Sequence, residues 1–81
     1  MTLTSLGPNK TEVTMSDGLT VLFSYKTPVA CRWTNRSAYH YYKTDKHRSS
    51  TTTRHINSWL GGNIAIFKSQ EYFDNLLAEV K

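Results

Sequence analysis

Apolar and polar residues alternate with period two through much of the first half of the chain. From Thr11 to Met15, Val13 and Met15 fall on one face and Glu12 and Thr14 on the other, the pattern of a half-buried strand. From Leu19 to Tyr25, Leu19, Val21, Phe23 and Tyr25 oppose Thr20, Leu22 and Ser24. Between the two runs lies Ser16-Asp17-Gly18, whose Asp and Gly accept the positive φ of a tight turn, so the runs predict a hairpin. Thr27-Pro28 is expected to end the second strand, because proline has no N–H to give a ladder. Val29 to Trp33 predicts a third strand, Thr34 to Ser37 a turn, and Ala38 to Lys43 a fourth strand. Residues 44–50 read as a mobile loop or a ragged strand end.

The period then changes. Ile56, Trp59 and Leu60 stand at i, i+3 and i+4, which predicts a short helix over residues 51–60, with a threonine as its cap and Gly61 as its stop. Asn63 to Phe67 is a short Ile-rich run, read as a fifth strand that edges or closes the sheet. Phe73, Leu76, Leu77 and Val80 form the apolar stripe of a second helix, which Ser69 caps and Glu71 supports near the dipole's positive end. Residues 1–10 are polar and broken by Gly7-Pro8-Asn9, so they are expected to be a loose leader before a single domain at 11–81. The order ββββαβα implies an α+β fold, a small and mostly antiparallel sheet packed by two short helices.

At 81 residues there is room for one core, and aromatics at 12% are an efficient way to fill it. No apolar run approaches the roughly 20 residues of a membrane helix, and no secretory signal is expected at the N-terminus. Cys31 is the single cysteine, so an internal disulfide is excluded. It lies between Val29 and Trp33 in an alternating run and reads as a small core residue, in keeping with a reducing compartment.

Charge is uneven. In residues 26–54, seven Lys and Arg face Asp45 alone, a net +6, whereas residues 1–25 and 55–81 each carry −1. This middle segment also holds Trp33, Tyr39, Tyr41 and Tyr42. Cations for phosphates or carboxylates, interleaved with flat rings, suit either nucleic acid or an acidic protein face. The candidate contact residues are Arg32, Arg36, His40, Tyr42, Lys43, Lys46, His47 and Arg48, joined by Arg54, Asn57 and Ser58 from the outer face of the first helix. Pairing of the third and fourth strands is expected to put Arg32 on one face with His40 and Tyr42, and Cys31, Trp33, Tyr39 and Tyr41 on the core face. The plainer alternative is that half these rings are core and the cations are a solvated surface.

Nothing points to catalysis or to a cofactor. His40, Asp45, His47 and His55 match no standard metal-ligand spacing, and no phosphate-binding loop, nucleophile elbow or zinc-protease signature occurs. No metal is expected, and the chain reads as a non-enzyme. The C-terminal stripe is most simply core, with a homodimer seam as the alternative. The acidic Glu71, Asp74 and Glu79 beside it argue against membrane insertion.

The stretches Leu22 to Ala30, Tyr42 to Lys46 and Ser50 to Leu60, taken in that order, resemble a family of small bacteriophage proteins that carry a domain of unknown function. The likeness spans residues 12–77, with Cys31 to His40 as a longer and more aromatic insert. It implies a viral accessory protein working in the host bacterial cytoplasm, and it implies no catalytic residue. A chain this short acts by occupying something larger, so the expected role is binding, and modulating or inhibiting, a host or phage protein. The alternative is nucleic-acid binding through the same Lys/Arg/Tyr-rich segment.

Overall fold

Eight elements follow one another in the computed structural model, which describes residues 2–15, 18–35, 38–46 and 49–78. They are β1 (Thr2–Gly7), β2 (Lys10–Thr14), β3 (Leu19–Ser24), β4 (Thr27–Asn35), β5 (Ala38–Thr44), α1 (Ser50–Leu60), β6 (Ala65–Lys68) and α2 (Gln70–Ala78). The strands form one six-stranded sheet in chain order, β1 to β6. The first four pairings are antiparallel and the last, β5 with β6, is parallel. The fold is α+β, as the pattern of the chain predicts, with one strand added at the front.

That added strand corrects the reading of residues 1–10 as a loose leader. Thr2–Gly7 pairs with β2 from Thr2↔Thr14 to Gly7↔Lys10, and the turn between them uses Asn9 at φ 59°. Its residues are exposed on both faces, and its two leucines, Leu3 and Leu6, stand three apart, so a period of two gives no sign of it. The β2–β3 hairpin forms where the Asp-Gly signal places it. Ser16 and Asp17 lie outside the described residues, but Met15 N–H donates to Leu19 O at 2.7 Å. Gly18 closes the turn at φ +88°, and a Cβ there would meet Thr34 O at 2.8 Å. Glycine is thus required twice, by its dihedral and by the close approach of β4.

Two further details depart from strict alternation. Tyr25 lies in the β3–β4 turn at φ 61° rather than at the end of β3. Pro28 does not end a strand; it is the second residue of β4, opposite Phe23, where the register slips by one after Leu22↔Ala30. A bulge tolerates proline because the ladder is already interrupted there. Gln70 Nε2 donates to the Pro28 carbonyl at 2.8 Å. The extra residue is Val29, which the bulge turns away from Cys31 and toward Ala30.

Both faces of the sheet are covered. On one face α1 lays Ile56 and Leu60 on Leu22, Val29 and Ala30. On the other, α2 lays Phe73 and Leu76 on Val13, Met15, Leu19, Val21 and Cys31. This explains why β3 is buried on both sides, with polar Thr20 and Ser24 satisfied beneath or beside α1. Ser24 Oγ lies 3.0 Å from Thr52 Oγ1 and 2.8 Å from His55 Nδ1. The caps follow the expected chemistry with one change of residue. Ser49, not a threonine, caps α1 by accepting from Thr52 N–H at 3.3 Å. Gly61 stops that helix at φ 58°, and Ser69 accepts from Tyr72 N–H at 3.3 Å to start α2. Among the described residues no helix is long and apolar enough to cross a membrane.

Phe73 and Leu22 are the largest fully buried side chains and sit on opposite faces. Phe73→Ala is expected to cost about 3–5 kcal/mol and Leu22→Ala about 2–5 kcal/mol, read from urea unfolding followed by circular dichroism. Equal insensitivity of both would contradict a sheet with a core on each side. Gly18→Ala is expected to cost more than about 1 kcal/mol in the same assay.

Candidate functional site

Strand β5 carries much of the expected site, and its register decides which residues meet. Arg32 pairs with Tyr41, Trp33 with His40 and Cys31 with Tyr42. Directly paired residues share a face, so Arg32 joins Tyr39 and Tyr41 on the α1 face. Cys31, Trp33, His40 and Tyr42 take the α2 face. This reverses the expected grouping of Arg32 with His40 and Tyr42. The physical reason is parity: pairing Asn35 with Ala38 shifts the register by one residue from that assumption, and one residue exchanges every face.

On the α1 face the strip begins at Arg32. Its guanidinium carbon lies 5.8 Å from the ring centroids of both Tyr39 and Trp59. One terminal nitrogen donates to Thr20 Oγ1 at a long 3.4 Å, and the buried Nε has no protein partner among the described residues. Trp59 is fixed from the other side, its indole N–H donating to Glu12 at 2.8 Å. Tyr39 stands 61% exposed at the rim. The arrangement sets a cation beside two rings, with one terminal nitrogen bonded to Thr20.

The strip continues at the carboxyl end of β5. Lys43 shares the α1 face, and its ammonium reaches across to sit 4.8 Å from the Phe67 centroid on β6. Lys43, Lys46, Thr53, Asn57 and Phe67 line a hollow of about 240 Å³. It opens where the two parallel strands end and their connections part, β5 into α1 on one face and β6 into α2 on the other. Such a divergence leaves a crevice at the carboxyl ends of the strands. The loop starts in order: Thr44 is buried, gives its hydroxyl to Gln70 at 2.9 Å and accepts from Lys46 N–H at 3.2 Å.

Next to the hollow is the outer edge of the sheet. Ile64 is 91% exposed, Ile66 59% and Phe67 62%. Lys68, at the end of the strand, turns inward over the rings of Tyr42 (5.3 Å) and Tyr72 (5.6 Å) on the α2 face.

The candidate residues therefore divide. Arg32 and Lys43 line one strip, and Lys46 and Asn57 close its end. Arg54 and Ser58 lie on the exposed side of α1, where Ser58 Oγ accepts from Lys10 at 3.3 Å. His40 is exposed and Tyr42 half-buried on the opposite face. Arg36, His47 and Arg48 lie outside the described residues. Ile64, Ile66 and Phe67 belong to the exposed surface, because the Ile-rich run, expected to edge or close the sheet, is its edge strand. Its shortness, between Gly61-Gly62 and Ser69, was the available sign of an edge. On α2, Phe73 and Leu76 are buried within the chain.

The remaining reactive groups are structural. His55 is held between Ser24 and the Tyr25 ring, 6.2 Å away. Among the described residues no three His, Cys, Asp or Glu side chains gather as metal ligands. Cys31 is fully buried, and burial pushes its thiol up to about 12, offset in part by the Tyr72 hydroxyl and the Lys68 ammonium. Burial also raises Tyr72, which accepts from the Trp33 indole at 3.2 Å. A thiol with a raised folded pKa leaves stability intact below its ordinary 9.0 and lowers it as pH climbs toward 12. Cys31 is accordingly expected to resist an aromatic disulfide reagent at pH 8 in the native protein and to react at once in urea. Rapid labelling without denaturant would show that the α2 face opens.

No curated protein and no solved structure matches the chain. A family model does match, over residues 1–75, and so spans every strand, α1 and the β6 edge. The chain belongs to that family, DUF8033, a family of unknown function.

Proposed function

We propose that this chain is a small non-catalytic binding protein that docks on, and modulates or inhibits, a partner protein through the α1-face strip and the β6 edge. The observation that carries the reading is the exposure of Ile66 and Phe67 on the two faces of one edge strand, next to the exposed Ile64, with the Lys43 ammonium above Phe67. Apolar side chains exposed along a sheet edge beside a cation gain when a complementary protein covers them. Rigid neighbours add to this. Tyr39, Arg32 and Trp59 are already locked together, so little side-chain freedom is lost on contact. The sequence likeness to small phage proteins supports a phage origin and action on a host or phage protein in the bacterial cytoplasm.

A second reading rests on Arg32. A guanidinium beside the exposed Tyr39 suits a phosphate and a stacked base, which favours nucleic acid on the same face. Salt separates the two, because phosphate contacts weaken by orders of magnitude between low and moderate salt and apolar contacts do not.

The test is capture from host lysate on the tagged chain, with and without nuclease, compared with an Ile66→Ser/Phe67→Ser variant and an Arg32→Ala variant. The expected result is a discrete protein that survives nuclease and moderate salt and is lost with the β6 variant. Nuclease-sensitive material lost with Arg32→Ala would replace this reading by the nucleic-acid one.

A further inference from the structure

We infer that the partner binds by adding a strand: an extended segment rich in Asp or Glu pairs with the free edge of β6 as a seventh strand of the sheet. The inference rests on the protein-binding reading and names the mode and the chemistry of the partner.

The backbone comes first. Lys68 O accepts from Asp45 N–H at 2.9 Å, so the polar groups of Lys68 face β5. Alternation with period two turns those of Ile66 the same way. The N–H and C=O of Ala65 and Phe67 therefore point to the outer edge, where β6 is the last strand. Edge strands usually carry a guard, such as a lysine or proline on the rim, a bulge or a covering loop. Here the candidate guard, Lys68, is turned inward over Tyr42 and Tyr72. The four residues pair with β5 in unbroken register, and Ile64 beside them is almost fully exposed. The other edge, β1, differs: its register shifts between Ser5 and Gly7, and four of its six residues are Thr, Ser or Gly.

Charge then selects the occupant. Lys43 belongs to β5, yet its ammonium lies over the Phe67 ring and so extends toward the position an added strand would fill. Lys46 stands at the end of the same strand pair beside the hollow. A residue opposite Phe67 on the α1 face would meet these cations, and a carboxylate is their complement. The neighbouring position, on the α2 face, would lie against Ile66 and suits an apolar side chain. A second copy would instead bring another chain of net charge +4 and a second set of these lysines.

The experiment uses the full chain, labelled with nitrogen-15, and two synthetic seven-residue peptides. One alternates glutamate with valine and the other lysine with valine. Saturable shifts and slowed exchange at the Ala65 and Phe67 amides are expected with the glutamate peptide. Affinity should fall by about tenfold or more for the lysine peptide and for Lys43→Glu. Ala65→Pro removes an outward N–H that β5 does not use, and is expected to abolish the protection while leaving the circular dichroism unchanged. Amide exchange on the unaltered chain reads the same contact should that variant fail to fold. Three results overturn the proposal. The first is no binding of either peptide at millimolar concentration. The second is equal binding of the glutamate peptide to Ala65→Pro, with shifts spread over Tyr39 and Asn57, in which case surface docking stands and strand addition falls. The third is dimerisation of the chain alone in sedimentation with Ala65 and Phe67 protected, which makes the occupant a second copy.

Discussion

The parallel pairing of β5 with β6 governs the rest of the molecule. Antiparallel neighbours need two residues to connect them, but a parallel neighbour needs a crossover that returns the chain to its starting end. That crossover is α1, and it must lie on one face of the sheet. Once α1 holds that face, α2 takes the other, beginning two residues after β6 ends. The sheet is then buried on both sides at β3 and β4, which accounts for a strand as apolar as Leu19 to Leu22 and for the hydrogen-bonded burial of Thr20 and Ser24. The small domain gains two thin cores instead of one thick one, and each depends on a few large side chains.

The same constraint puts the candidate surface where it is. A crossover strand that is last in the sheet is an edge by necessity, and α1 packs chiefly on β3 and its neighbour, meeting β6 only at Ala65. The side chains of Ile64, Ile66 and Phe67 are left uncovered because, among the described residues, no further strand pairs on that side. The carboxyl ends of the two parallel strands part around the hollow between Lys43, Lys46 and Asn57. Chemistry for binding thus collects at one rim through connectivity, not through a sequence motif. The opposite face at β5 is quieter, with Tyr42, Tyr72, Trp33 and Lys68 engaged with one another.

How much of this the chain announces depends on the element. The β2–β3 hairpin is legible because alternation and Asp-Gly agree; α1 is legible because apolar spacing and the Gly61 stop agree, and α2 because apolar spacing and the Ser69 cap agree. β1 is not, since its only apolar side chains, Leu3 and Leu6, stand three apart and so fall off the period of two. Val29 is misassigned by strict alternation because the bulge at Pro28 adds a residue that no local signal marks. Of the candidate site, the cations and rings of β5 are legible as residue types, but their faces are not.

Local chemistry alone determined where the strands after β1 and both helices would fall, that Gly18 and Gly61 would carry positive φ, and that Cys31 would be a buried, inert thiol. Each of these follows from neighbours within a few residues. Only the tertiary structure decided that Arg32 lies with Tyr39 rather than His40, that Lys43 leans over Phe67, and that an isoleucine-rich strand stands exposed. Those outcomes depend on register between strands and on which strand ends last in the sheet. A period of two is silent about both, because shifting a partner by one residue leaves the pattern along each strand unchanged while exchanging its faces.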